Sequence, residues 1–404
     1  MTHPATVQVL TALARGGVDA RFVGGCVRDA ILRRPVRDVD IATHAPPDEV
    51  MLCLGNAGIR VIPTGIAHGT VTAVVDHKPF EITTLRRDVE TFGRHARVVF
   101  TDDWKADAAR RDFTMNAIFC APDGTLYDPF EGLKDMAAGR VRFVGTARIR
   151  IEEDVLRLLR FFRFQAHYGR GFPDPDALDA CRELAWRLPE LSGERVRAEL
   201  LRLLAAPEPA TIWRLMNDLA ITPHLLPVPD TPEHLDRLTR LQTALGIPAG
   251  DDPLLRLAAL VRTGKAGVLS VASHLRLSGA ERDRLATLVA PPVEVGVLDT
   301  RSERIQALYR VGANTYLDLV MLAASRNDDF PSPEDLIPAF EAAAEWQSTA
   351  FPLKGRDLIA LGVPPGPRVG ALLQQMESWW LEADCVPDHV ACLCEARQRL
   401  AALA

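Results

Sequence analysis

The chain has 404 residues, enough for two to four domains, with 48% hydrophobic and 25% charged residues and a net charge of −6. This ordinary globular composition contains no apolar run of the roughly 18 residues that a membrane-spanning helix needs. The opening Met1-Thr-His-Pro-Ala-Thr lacks a basic region before an apolar run, which argues against a secretory signal.

Seven cysteines, at 26, 53, 120, 181, 385, 392 and 394, are scattered without C-x-x-C pairs. Reduced thiols in a cytoplasmic protein are expected, and a zinc site is not. The acid excess argues weakly against a nucleic-acid partner. Between residues 140 and 170, however, eight arginines face three acids, a candidate phosphate track that could equally be a solvated helix face.

In chain order, residues 5–17 are predicted as a helix and 19–23 as a short strand. Gly24-Gly25 turns the chain, and Cys26 to Arg34 follow as a short helix with Val27, Ile31 and Leu32 on one face. A glycine pair between strand and helix lets backbone N–H groups approach a phosphate. Arg28, on the first helical turn, can add a charged fork to the same ligand. Arg37 to Thr43 are predicted as the next strand, which puts Asp38 and Asp40 on one face. Two adjacent carboxylates repel unless a cation lies between them, and paired hard oxygens suit Mg²⁺. Singly, these pieces read as a turn and a pair of solvated acids. Their order within about 20 residues favours metal and triphosphate binding.

Gly24-Gly25-Cys26-Val27-Arg28-Asp29 followed by Asp38-Val39-Asp40 resembles the head of the class II tRNA nucleotidyltransferases, the CCA-adding enzymes and bacterial poly(A) polymerases. The resemblance implies a DNA polymerase β-like α/β head, followed by helical neck, body and tail. It implies catalysis by Asp38, Asp40 and Glu81, with Mg²⁺ on the first two. Gly25 and Arg28 would bind nucleotide.

Pro46 to Leu54 read as a helix opened by proline, and residues 60–63, 69–75 and 78–85 as strands. In Phe80-Glu-Ile-Thr-Thr-Leu-Arg86, Glu81 alternates with apolar neighbours and faces away from them. The segment resembles the family element that supplies a third acid. Residues 86–109 are polar and weakly periodic, and are predicted as a long loop. In the family a flexible loop sits here and is needed to add the terminal A. Its full length in this chain favours A addition.

Arg110-Arg-Asp-Phe-Thr-Met-Asn-Ala117 resembles a family motif that holds ribose and triphosphate. It implies a phosphate clamp at Arg111 and a ribose hydrogen bond at Asp112. Asp123-Gly124 is a hairpin turn. Asp128-Pro-Phe-Glu-Gly-Leu-Lys-Asp135 resembles the hinge between head and neck, although proline and glycine mark turns in any protein.

Ile151 to Phe164 read as one helix with Ile151, Val155, Leu158 and Phe162 at helical spacing. Asp154 and Arg157, three apart, can share a face, and a simple salt bridge is the ordinary reading. Cytosine and adenine both present an amino donor beside a ring-nitrogen acceptor. One acid and one arginine would therefore admit C and A and reject U and G. The family's E-D-x-x-R motif does this, and here it reads Glu153-Asp154-Val-Leu-Arg157. By the same resemblance Arg160 and Arg163 hold nucleotide phosphates. Ser192-Gly-Glu-Arg195 reads as a capped helix start, with Glu194 and Arg195 structural.

From about residue 206 the chain reads as all-α. Residues 352–374 give two short helices around a Gly/Pro turn that resembles the family's tRNA-elbow element. The expected domains are a head at 1–139, neck at 140–205, body at 206–300 and tRNA-binding tail at 301–404. The expected activity is untemplated addition of CCA to a tRNA 3′ end from CTP and ATP. The alternatives are an A-adding enzyme or poly(A) polymerase, a non-catalytic RNA-binding protein, and a transferase acting on a protein or drug.

Overall fold

The structure is a computed structural model, and it describes residues 2–92, 95–227, 231–248, 250–261 and 263–402, with side chains described outside 88–97. The chain divides into two compact units. The first comprises Met1–Ala206 with Ile212–Leu225, and the second Pro207–Thr211 with Leu226–Ala404.

The first unit opens with α1 (Pro4–Arg15), β1 (Ala20–Val23), α2 (Gly25–Ile31), β2 (Asp40–Thr43) and α3 (Pro47–Asn56). Prolines open α1 and α3, where a missing N–H costs nothing, and Asp48 and Glu49 sit in the first turn of α3. Strands β3 (Arg60–Gly65), β4 (Thr70–Val75) and β5 (Lys78–Thr84) follow. After them come β6 (Arg86–Phe92), β7 (His95–Phe100), α4 (Trp104–Ala109), β8 (Phe119–Cys120) and β9 (Leu126–Tyr127). Seven strands form one mixed sheet in the order β3-β4-β5-β2-β1-β8-β9. Among the described residues only β2 and β5 pair in parallel, with Asp40 opposite Glu81. Val9, Leu13, Val50 and Leu54, at most 1% exposed, pack α1 and α3 onto this core.

Two local expectations are corrected. The strand carrying Asp40 begins at Asp40, so Asp38 lies in the preceding irregular segment and not on the strand. The segment 86–109 is not a loop: β6 and β7 form a separate antiparallel hairpin, and α4 follows, capped by the Asp103 carboxylate. A hairpin outside the main sheet buries little and needs no strong hydrophobic alternation. Residues 93–94, within the expected loop, lie outside the described residues.

Helices α5 (Gly132–Ala138), α6 (Ala147–Glu153), α7 (Leu156–Tyr168), α8 (Pro175–Leu184) and α9 (Gly193–Leu204) complete the unit. The Asp128 carboxylate accepts from the Gly132 and Leu133 N–H groups and caps α5. A β-carbon at Gly132 would lie 2.3 Å from the Thr114 carbonyl oxygen, so only glycine allows this approach. Buried Asp135 accepts from Thr114 Oγ1 at 2.7 Å and Arg142 Nε at 2.8 Å. The D-P-F-x-G-x-x-D segment is thereby bonded to the segment that carries Arg111 and Asp112. Phe113 packs against Phe143 at 4.7 Å between centroids and against Phe164 at 5.0 Å, both rings tilted. Each buried phenylalanine contributes about 2–3 kcal/mol, which helps hold α7 against the segments that carry Phe113 and Phe143.

Ile151 to Phe164 are two helices and not one. α6 ends at Asp154, whose φ of −151° and ψ of 106° are extended, and α7 starts at Leu156. Ser192 stands before α9, but its side chain makes no capping bond.

The second unit is helical throughout its named elements, among them Pro232–Ala244, Ala313–Arg326 and Pro367–Glu382. Thr300 with Glu303 and Ser278 with Glu281 form capping boxes. Its C-terminal core gathers Leu358, Met376, Trp380, Cys392 and Ala396. The Gly/Pro turn joins Gly355–Ala360 to the longer helix Pro367–Glu382. All seven cysteines are free, and no helix among the described residues is long and apolar enough to cross a membrane.

Candidate active site

Gly24 links β1 to α2 with φ 75°, a conformation that favours glycine. A β-carbon there would lie 3.7 Å from Arg111 Nη1 and 4.0 Å from Asp40 Oδ2. Loop backbone, arginine and acid therefore converge. Around them lies a cavity of about 530 Å³ in the first unit. Of the residues singled out from the sequence, Gly25, Arg28, Asp40, Arg111, Asp112, Asp154, Arg157, Arg160 and Arg163 line it. Asp38 and Glu81 do not, although both charges act on Asp40.

Burial pushes the Asp40 carboxyl up, and the Glu81 charge adds to this; Arg111 opposes, and Asp38 raises it further. A carboxylate so placed is short of positive charge, which is the electrostatic requirement of a divalent-cation ligand. Among the described residues no three His, Cys, Asp or Glu side chains are disposed to enclose a metal by themselves. Hard cations bound through one or two carboxylates complete their shell with water and substrate phosphate. The donor set fits that arrangement.

The arginines are held by acids behind them. Asp107, 1% exposed, accepts from Arg110 Nε at 2.8 Å and from Arg111 Nη2 at 2.8 Å. Arg28 bonds Asn116 Oδ1 at 2.7 Å, forks onto Asp29, and lies over the Tyr168 ring at 4.3 Å. Asn116 in turn donates to Asp112 at 3.0 Å.

Asp112 also accepts from the Phe113 N–H at 2.8 Å and from Arg160 Nε at 2.7 Å and Nη2 at 2.5 Å. Both its oxygens are thus occupied, and a ribose hydroxyl would have to share or displace one donor. Burial alone would raise the Asp112 carboxyl, but Arg160, Asn116 and the Phe113 N–H outweigh it and hold it down at about 2. The sign follows: the unfolded chain takes up this proton near 3.8 and the folded chain only near 2, so the stabilisation is present above pH 4 and lost from there towards pH 2. The shift corresponds to about 2 kcal/mol. The stability gap between wild type and Asp112→Asn, measured by urea unfolding, is expected to narrow between pH 4 and 2. A gap independent of pH would show that the native carboxylate gains nothing from its charge.

The two residues expected to read the base are also engaged, though not with each other. Asp154 Oδ2 accepts from Arg195 Nη2 at 2.7 Å. Arg157 donates to Glu153 Oε2 at 2.5 Å, to the Arg150 carbonyl and to the Arg110 carbonyl. The simple salt bridge that Asp154 and Arg157 could have made with each other is not formed; each pairs with another residue. Asp154 retains acceptor capacity and Arg157 retains N–H donors on Nε and Nη2. Arg195 itself lines the cavity, which its reading as structural missed. Its only sequence signal was the S-x-E-R segment, and its partner stands 41 positions away. Asp107 and Asn116 were likewise missed; both lie within five residues of Arg111.

The profile of the poly(A) polymerase head domain matches residues 20–142, and one described as a probable RNA and SrmB-binding site of polymerase A matches residues 172–231. Over 398 residues the chain is 32% identical to the CCA-adding enzyme of Limosilactobacillus fermentum, covering 98% of this chain and 96% of that one. It is 34% identical over 389 residues to the mitochondrial CCA tRNA nucleotidyltransferase 1 of Danio rerio, covering 90% and 83%. The crystal structure of the Bacillus stearothermophilus CCA-adding enzyme in complex with CTP superposes with a TM-score of 0.79 at 27% identity, covering 99% of both chains. With relatives at this identity matched over most of their length, the chain belongs to the family of CCA-adding tRNA nucleotidyltransferases.

Proposed function

We propose that this protein adds CCA to the 3′ end of tRNA, using CTP and ATP and releasing pyrophosphate. One observation carries the reading. An acid short of positive charge, a set of braced arginines, and an acid–arginine pair suited to C and A line the same cavity. The names and bound nucleotides of the relatives support the same substrates.

In this reading the 3′-hydroxyl of tRNA gives up its proton to solvent as its oxygen attacks the α-phosphorus in line, and the bond to pyrophosphate breaks. Asp38 and Asp40 would hold Mg²⁺, with Glu81 the third acid beside them. When bound, the ion supplies Lewis acidity that lowers the hydroxyl pKa and offsets charge on the phosphates. The backbone around Gly25 and the side chains of Arg28, Arg111, Arg160 and Arg163 hold the triphosphate. Their partners fix them before substrate arrives, so little reorganisation is needed as charge develops. Asp112 orients Arg160 and faces the ribose. Asp154 accepts from the exocyclic amine, and Arg157 donates to the ring nitrogen.

The same reading divides the chain into a catalytic head at 1–139, a base-reading neck at 140–205, a body at 206–300 and a tRNA-holding tail at 301–404. It places the protein in the cytoplasm, where its free thiols stay reduced.

The test is extension of three tRNA transcripts, ending before CCA, after C and after CC, with each NTP and Mg²⁺. Stepwise addition that stops at CCA is expected. Addition of A alone to the CC-ended transcript would make this an A-adding enzyme, and long A tails a poly(A) polymerase. No incorporation would leave a non-catalytic RNA-binding protein.

A further inference from the structure

Arg157, Arg160 and Arg163 bring three positive charges of α7 to one cavity. Like charges this close repel, and long side chains that repel spread into many rotamers. Behind two of them stands a group that the sequence does not single out. Glu199, on α9, is 4% exposed, and it is not among the residues lining the cavity. Its Oε2 lies 2.6 Å from Arg163 Nε, and its Oε1 3.7 Å from Arg160 Nη1. Arg202, on the solvent side, approaches Oε1 at 3.9 Å.

We propose that Glu199 is the positioning residue that presents Arg160 and Arg163 to the triphosphate of the incoming nucleotide, setting phosphate affinity without affecting base choice. This rests on the cavity being the nucleotide site described above. Arg160 is gripped from two sides, with Nε and Nη2 on Asp112 and Nη1 towards Glu199. Arg163 makes no other ion pair among the described residues, and its guanidinium lies over the Phe164 ring at 4.3 Å, so Glu199 is the one acid that sets where its charge sits. The contact is close but poorly aligned: among the described residues neither Arg163 Nε nor Glu199 Oε2 completes a hydrogen bond. Such a contact fixes a charge in place while leaving the Nη groups for a better acceptor, and phosphate oxygens are that acceptor. Burial works against the Arg163 charge, and Glu199 is the first group opposing that loss.

Counting charges alone predicts the reverse effect. Removing an acid makes the cavity more positive and should tighten binding of a polyanion. Preorganisation predicts weaker binding, because the freed arginines must be ordered when the ligand arrives. The sign of the effect therefore separates the two.

The experiment is direct titration of CTP, ATP and UTP into the full-length wild type, Glu199→Gln and Glu199→Asp. It is paired with KM and kcat for tRNA extension and with thermal melting in the absence of nucleotide. Glu199→Gln is expected to weaken CTP and ATP by about the same factor, roughly tenfold, with the preference for CTP over UTP unchanged. Glu199→Asp keeps the charge but falls one methylene short of Arg163, and an intermediate loss is expected. Arg202→Gln is expected to change neither affinity nor turnover. Unchanged or tighter CTP binding in Glu199→Gln, wild-type affinity in Glu199→Asp, or a loss confined to base preference would each overturn the proposal. If Glu199→Gln does not fold, the Glu199→Asp titration decides. Should the wild type bind CTP yet extend no tRNA, the functional reading fails while the binding comparison still tests Glu199.

Discussion

Asp40→Asn is expected to abolish tRNA extension, by roughly 10³-fold or more, while leaving the protein as stable as the wild type or slightly more so. The two halves of this result have one cause. Burial, together with the Glu81 and Asp38 charges, raises the Asp40 carboxyl above its ordinary value. An acid raised in the folded state costs stability when ionised, and that cost grows as pH rises through its folded pKa. Removing the charge relieves the folded chain near pH 7. It also removes the ligand that makes a divalent cation favourable there, and the loss of such a Lewis acid amounts to several kcal/mol of barrier. Single-turnover extension and thermal melting of the two proteins at pH 7 check both halves. Residual activity within tenfold of wild type would remove Asp40 from the metal role. A large drop in melting temperature would mean its charge is structurally compensated.

The second large effect falls on base choice. Asp154→Ala is expected to lower the preference for CTP over UTP by about 10²-fold or more, because a site that hydrogen-bonds its ligand rejects analogues by leaving polar groups unpaired. The structure adds a partner to this prediction. Arg195 holds Asp154 Oδ2 at 2.7 Å from a different helix. Arg195→Ala is expected to relax the same preference by a smaller factor, roughly tenfold, since the acid remains but loses its fixed orientation. Competition between CTP and UTP on a transcript ending before CCA measures both. Equal loss of all nucleotides, with the CTP to UTP ratio intact, would show that Asp154 does not read the base.

Which parts of the molecule were legible in the sequence follows from the range of the forces involved. The strand, Gly24-Gly25 turn and short helix depend on neighbours within a few positions, and they stand in the expected order, although the helix ends at Ile31, short of the expected Arg34, and leaves Ile31 exposed. Glu81 alternates with buried Phe80 and Ile82 as the strand period requires. The arginines at 157, 160 and 163 share one helix, so their convergence on a single cavity is a matter of helical spacing.

The misreadings share a different cause. Ile151, Val155, Leu158 and Phe162 are all at most 5% exposed, so the apolar period runs unbroken across a break in the backbone at Asp154. Two helices that bury one continuous face look like one helix in sequence. The break matters, because it turns Asp154 away from Arg157 and towards Arg195. Asp38 was assigned to a strand because alternation was carried back through Arg37, but β2 finds its partners β1 and β5 only from Asp40 onward.

By itself the sequence determined the local frame of the site and the residue types it needs, because turns, helix faces and strand alternation are decided by adjacent residues. The tertiary structure decided which charge pairs with which. Asn116 with Arg28, Arg195 with Asp154 and Glu199 with Arg163 are contacts that no local period encodes. Buried charges take whatever partner packing brings within reach. Here packing brings an acid or amide behind most of the arginines that face the cavity.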